Sequence, residues 1–265
     1  MSEDEQGQAT DRQFVTSLAR GLRIIAAFRP DERALSNQEL AARTGLPRPT
    51  VSRFTHTLRK LNYLAYHERA GRYSLTPRVI ELGHAAHVST GIRDIARPAM
   101  EALSEIGAFS VALGVPSGLE IRYIELARRP EAIVLNLEVG ALVPMLQTAI
   151  GRAYLAGLSQ ERRAEILSDL ARADPALFAA QEEAVNAAVA GFEARGYAAS
   201  MGGWWPELHA VATTISVVDG ADPLLLSVSG LSSVMTAERI REEYAPALMN
   251  SAQIIQSRMR RLYPD

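Results

Sequence analysis

LSNQELAARTGLPRPTVSRFTHTLRKLNYL, residues 35–64, is the stretch on which the reading of this chain turns. Ser36 precedes Glu39 by three positions, the spacing of a capping box, so a short helix is predicted through Leu40, Ala41 and Ala42 to Thr44. Gly45 stops it, because glycine enters the left-handed region without a Cβ penalty. After Leu46-Pro47-Arg48-Pro49 another helix is predicted to begin near Thr50, with Val51, Phe54, Leu58 and Leu61 on one apolar stripe. Two short helices around a glycine turn form a helix-turn-helix, whose second helix enters the major groove of DNA with polar residues near its N-terminus. Arg48, Thr50, Ser52, Arg53 and Thr57 are the residues left for that role. Arg53 is the candidate for a bidentate contact to guanine, while Arg48, Thr50 and Ser52 reach either base edges or phosphates.

The flanks agree with this centre. Upstream, Val15, Leu18, Leu22, Ile25 and Phe28 recur at helical spacing and predict a first amphipathic helix ended by Pro30 and Asp31. Arg20 on that helix either touches the DNA backbone or sits in a local ion pair. Downstream, Leu64-Ala65-Tyr66 and Tyr73-Ser74-Leu75 read as strands around the polar turn 68–72, a β-hairpin that serves as a wing, made basic by Arg69 and Arg72, which count among the DNA-binding candidates. Charge supports the same division. Residues 12–78 hold thirteen Arg or Lys against four acidic residues, so the remainder is strongly acidic although the whole chain carries only −2. Only a module that neutralises phosphates needs such a basic excess.

The rest of the chain is a different domain. Residues 1–12 read as a disordered tail, 13–77 as the winged helix-turn-helix, 78–92 as a linker helix with a hinge near Gly91, and 93–263 as a second domain. Runs at 110–115, 119–126, 132–137, 210–218 and 224–229 have strand patterns, whereas 149–156, 162–170, 181–195 and 237–262 are helical, so the fold class is α+β with an antiparallel sheet flanked by helices. The absence of cysteine excludes disulfides, thiolate metal sites and a cysteine nucleophile. The polar, acidic N-terminus has no apolar core segment, and no run reaches the roughly 18 apolar residues of a membrane span, so a cytoplasmic protein without membrane contact is expected. No G-x-S-x-G, H-E-x-x-H, phosphate loop or G-x-G-x-x-G occurs, and His84 and His87 lack a third ligand. No catalytic residue, metal site or cofactor is therefore expected; a small-molecule hydrolase is the weaker alternative.

With these residues laid out, the chain resembles the IclR family of bacterial regulators from about Phe14 to Tyr263. The resemblance runs through SLARGLRIIAAF (17–28), the opening stretch (35–64), GRYSLTPRVIELG (71–83), IARPAMEAL (95–103), TAIGRAYLAGL (148–158) and LLLSVSGLSSVMT (224–236). It implies a winged-helix domain that binds double-stranded operator DNA, a linker helix and a GAF-like effector-binding domain. It also implies homodimers through the DNA-binding halves and often homotetramers through the effector halves. In such proteins an effector carboxylate is held by backbone amides, here those of Ala149 and Ile150, and by strand hydroxyls, here Ser227 and Ser229. The loop 202–210 supplies the remaining wall with Trp204, Trp205, Leu208, His209 and Ala210. Arg152 stands where the family usually has lysine, Thr214 where proline is common, and His209-Ala210-Val211 departs from the usual pattern.

These departures lie in the pocket, so its ligand is read from chemistry. Trp204 and Trp205 after two glycines offer a rigid aromatic surface, which suits a flat aromatic acid better than a short keto acid. The opening 14–28 is also similar to the subgroup that senses hydroxybenzoate and protocatechuate. Set against this, the tryptophans can serve as packing, His209 as a satisfied histidine beside a sheet, and Ser227 and Ser229 as a structural pair. The expectation is a regulator of a catabolic operon responding to a small organic acid, aromatic rather than a keto acid or other metabolite.

Overall fold

A computed structural model of the chain describes residues 14–28, 32–81, 91–107, 110–128, 137–216 and 222–262. The expected tail, the strand expected at 132–137 save Leu137, and most of the linker, with His84 and His87, lie outside the described residues. The chain divides into two compact units, Met1–Thr90 and Gly91–Asp265.

In the first unit, helices α1 (Thr16–Ala26), α2 (Asn37–Thr44) and α3 (Arg48–Lys60) stand beside a small sheet of β1 (Leu35–Ser36), β2 (Leu64–His67) and β3 (Arg72–Leu75), in the order β1-β3-β2. The capping box forms as read: Glu39 N–H donates to Ser36 Oγ at 3.3 Å, and Ser36 N–H donates to Glu39 Oε2 at 2.7 Å. Gly45 takes the left-handed conformation, φ 67°, and turns the chain from α2 into α3. That third helix starts two residues earlier than expected. Pro49 does not delay it, because the first helical turn has no intrahelical use for the N–H that proline lacks. Ile24, Leu35, Leu40, Leu46, Val51, Leu58 and Leu64, none more than 7% exposed, form the core.

The α1 stripe is corrected by the structure. Ile24 is the fully buried residue of this helix, while Val15, Leu18 and Leu22 are 58%, 62% and 55% exposed. Periodicity identifies an apolar face but not which neighbour covers it, and none of the described residues of this unit covers this one.

The second unit contains α4 (Ile92–Ser104), α5 (Ala149–Gly157), α6 (Gln160–Ala173), α7 (Pro175–Arg195), a short α8 (Ala237–Arg239) and α9 (Ala245–Leu262). Its sheet comprises β4 (Ser110–Ser117), β5 (Glu120–Arg128), β6 (Leu142–Pro144), β7 (Ala198–Met201), β8 (Leu208–Ile215) and β9 (Leu224–Leu231), antiparallel throughout in the order β6-β5-β4-β9-β8-β7. The expected last helix is interrupted by a π-helical turn, Ile240–Tyr244. The edge strands β6 and β7, of three and four residues, are too short to have shown an alternation.

Strand alternation assigns the two faces of this sheet. Leu224, Leu226 and Val228 of β9 point into a core closed by α4 and α9, while Leu225 points to the face covered by α5, α6 and α7. Glu125, buried on β5, is gripped by Arg97 at 2.9 Å and Arg93 at 3.2 Å, which ties α4 to the sheet.

Candidate functional site

Four of the residues predicted to read DNA share one concave surface of the first unit. Arg20 from α1 and Thr50, Arg53 and Thr57 from α3 line it, together with Thr16, Ser17 and Phe54. Val51, Thr55 and Leu58 anchor the opposite side of α3 in the core, which leaves Arg53 and Thr57 exposed. Arg48 is exposed in the first turn of α3, and Arg69 is exposed in the wing turn.

The other two predicted residues are committed within the protein. Ser52 Oγ accepts from Asn37 Nδ2 at 2.9 Å and donates to the Arg48 carbonyl at 3.1 Å, so it ties α3 to the start of α2. Arg72 donates to the Ala34 carbonyl at 2.9 Å and pairs with Glu39 at 3.2 Å. Arg72 thus braces the wing against the α2 capping box while its side chain stays partly exposed. With the Ser36 bonds first and Arg72 after them, these contacts hold the Glu39 carboxyl below its ordinary pKa.

In the second unit a small cavity lies on the α5 side of the sheet. Its origin is legible in the register. Ser229 lies across from Ser110 on β4 and Ala210 on β8, and Ser227 lies across from Ala112 and Ala212. This patch of the sheet therefore carries only small side chains and leaves space beneath the covering elements. Farther along, Gly114 admits Ile150, since a Cβ there would come within 3.0 Å of Ile150 Cδ1. Thr214 supports the far end of the same helix, its Cγ2 standing 2.8 Å from where a Gly157 Cβ would be.

The N-terminus of α5 opens at this cavity. Thr148 caps the helix, accepting from Gly151 N–H at 3.2 Å and donating to the Pro144 carbonyl at 2.6 Å, while Arg152 N–H reaches the Thr148 carbonyl at 3.0 Å. Ala149 and Ile150 keep their N–H groups without an acceptor among the described residues, and both residues are buried. Two unpaired amides at the positive end of a helix dipole are suited to accept an anion. None of the described lining residues carries a charge.

Of the residues expected to hold an effector, Ala149, Ile150, Trp204, Leu208, Ala210, Ser227 and Ser229 line the cavity. Trp205 does not; it stacks on Trp204 with ring centroids 4.2 Å apart and backs that wall. His209 also lies elsewhere, because alternation along β8 sends it to the other face, where its Nδ1 meets the Met235 carbonyl at 2.7 Å. The sequence reading missed Ser110, Tyr123, Leu137, Gln147, Thr148 and Ser200, which complete the lining. Thr148 had a usable signal, a threonine directly before a helix. The others arrive from separate strands and loops and share no motif. Desolvation pushes the Tyr123 phenol up to about 12, although the Ser227 hydroxyl facing it pulls the other way, so Tyr123 is a neutral hydrogen-bonding group at neutral pH.

Residues 17–68 match the IclR helix-turn-helix domain, and residues 84–257 match the IclR C-terminal domain of bacterial transcriptional regulators. The chain is 32% identical over 262 residues to the HTH-type transcriptional regulator TsaQ1/TsaQ2 of Comamonas testosteroni, covering 98% of this chain and 94% of that protein. It is 31% identical over 247 residues to the Pca regulon regulatory protein of Pseudomonas putida, covering 92% and 84%. Among solved structures, an IclR family transcriptional regulator from Brucella abortus superposes with a TM-score of 0.84 at 32% identity, covering 97% of this chain and 96% of the other. An IclR homolog from Microbacterium hydrocarbonoxydans, complexed with 4-hydroxybenzoate, shares the fold with a TM-score of 0.67 at 23% identity, covering 93% and 100%.

Proposed function

The chain belongs to the IclR family of bacterial transcriptional regulators, DNA-binding and ligand-responsive proteins rather than enzymes, and we propose that it controls a catabolic operon in response to an aromatic acid. One observation carries the effector reading: the buried, unpaired amides of Ala149 and Ile150 open into an otherwise uncharged cavity walled by Trp204. The amides take the carboxylate, the hydroxyls of Ser227 and Ser229 orient it, and the Trp204 face covers the ring. The Pca regulon protein and the Microbacterium homolog with its 4-hydroxybenzoate lend support as relatives of the same fold. No helix among the described residues is long and apolar enough to cross a membrane, which accords with action in the cytoplasm.

On the DNA side, Arg53, Thr50 and Thr57 read the major groove, with Arg20, Arg48 and Arg69 on phosphates. The bare α1 face of Val15, Leu18 and Leu22 pairs with a second copy of the chain, since a solvent-facing apolar stripe of this kind marks an interface. Two reading heads then meet paired half-sites, and the effector acts by preferring one arrangement of them. Replacement of Leu18 and Leu22 by Glu is expected to yield monomers in sedimentation; an unchanged mass would remove α1 from the interface.

The deciding experiment titrates the full chain with benzoate, 4-hydroxybenzoate, pyruvate and gluconate, following tryptophan emission and thermal unfolding, because a ligand that binds only the native state raises its stability. Aromatic acids are expected to quench emission and raise the unfolding temperature. A response confined to pyruvate or gluconate would replace the aromatic reading with one for short or sugar acids.

A further inference from the structure

Arg152 occupies an unusual place. Only 6% exposed, it extends from the first turn of α5 and donates to three neutral acceptors: the Leu146 carbonyl at 2.9 Å, the Ala199 carbonyl at 3.3 Å and Gln181 Oε1 at 2.9 Å. No carboxylate among the described residues forms an ion pair with it. Burial alone lowers its pKa, with no charged neighbour contributing, and a guanidinium still keeps its proton under such a shift. A buried cation without an anion is costly, and the described residues supply none from their side chains.

The position of this charge relative to the cavity is defined by Gly203. A Cβ on Gly203 would stand 2.7 Å from Ser200 Oγ, 2.6 Å from the Gln147 carbonyl and 3.0 Å from Arg152 Nη2. Ser200 and Gln147 line the cavity, so the guanidinium stands directly behind its wall, on the helix whose unpaired amides open into it. Glycine at 203 is what lets the loop close over all three groups.

We infer that Arg152 is the buried counter-charge of the effector's carboxylate, confining this cavity to anions without touching the ligand's ring. The inference rests on the effector reading above and adds a specificity-determining residue to it. In a site of low polarity a fixed charge a few ångströms behind the wall favours an acid over its amide, although the two have nearly the same shape. An empty cavity leaves the cation uncompensated, and a bound acid relieves it.

The test compares benzoate with benzamide, by calorimetry and by tryptophan emission, in the full chain carrying Trp205→Phe so that Trp204 alone reports. Benzoate is expected to bind at least about tenfold tighter than benzamide. Arg152→Lys keeps that preference; Arg152→Gln reduces it to about threefold or less by weakening benzoate while leaving benzamide unchanged. Equal binding of acid and amide before any change at Arg152 would overturn the inference, so it does not depend on the Gln variant folding. Retained acid preference in Arg152→Gln would do the same. Binding of benzoate without a Trp204 response would also overturn it, placing the anion in the open groove that Arg152 borders with Gln181 and Arg195 on its other side. If pyruvate binds in place of benzoate, with the same preference over its amide and the same dependence on Arg152, only the aromatic reading falls. If no acid binds, both fall.

Discussion

Gly151 crosses Met145 so closely that a Cβ on it would stand 2.2 Å from the Met145 carbonyl oxygen. No side chain fits in that space, and the obstacle is backbone, which cannot rotate away. The crossing presses the first turn of α5 onto the loop after β6 and holds the Ala149 and Ile150 amides at the cavity.

Gly151→Ala must therefore lift the start of α5. The expected cost is at least about 1–3 kcal/mol in the second unit, the range for overpacking, together with loss of acid binding. Hydrogen exchange resolved by segment checks this. Faster exchange in α5 with an unchanged first unit is expected, and unaltered protection across 149–157 would contradict the role given to the crossing.

Glu39 makes the first unit sensitive to acid. Its folded pKa lies below 4.5 because Ser36 and Arg72 favour the ionised carboxylate. As pH falls, the unfolded chain takes up that proton first, so the stabilisation is fully present above 4.5 and is lost as pH descends through the lowered value. Thermal unfolding between neutral and acid pH is expected to show this loss in the native chain and not in Glu39→Gln. Parallel curves would mean that the capping box contributes nothing to the acid response.

Arg53 and Arg72 separate recognition from bracing. Arg53→Ala is expected to weaken operator binding by about 1–3 kcal/mol with the unfolding temperature unchanged, since its side chain is exposed and packs no core. Arg72→Ala should lower first-unit stability only slightly, as for an exposed ion pair, while the salt dependence of operator binding stays the same. A loss of roughly 0.9 in the salt slope on removing Arg72 would show that it contacts a phosphate as well.

The two tryptophans divide in the same way. Trp204 lines the cavity and Trp205 stacks behind it, so Trp204→Phe should abolish most effector-dependent quenching and Trp205→Phe should preserve it. The reverse pattern would exchange their roles.

Local chemistry made the first unit readable almost to the residue. Ser36, Glu39 and Gly45 act on neighbours three or fewer positions away, so their pattern and their geometry coincide. The seven cavity residues identified in advance were legible through family resemblance and strand alternation. Alternation, applied to β8, also separates Leu208 and Ala210 from His209, which a contiguous loop had grouped together. Tyr123, Ser110 and Ser200 were not legible, because nothing in their own strands says which other strand lies alongside.

The sequence alone determined the helix-turn-helix, the basic first unit, the acidic second one and the α+β class, since caps, periodicity and charge are properties of short stretches. Tertiary structure alone decided what each face meets. Among the described residues it left Val15, Leu18 and Leu22 exposed, paired Arg72 with Glu39, and sent His209 away from the cavity. It also buried Arg152 among neutral acceptors beside two unpaired amides. The physical reason is that burial and electrostatic environment depend on neighbours brought from distant parts of the chain, and no local pattern encodes them.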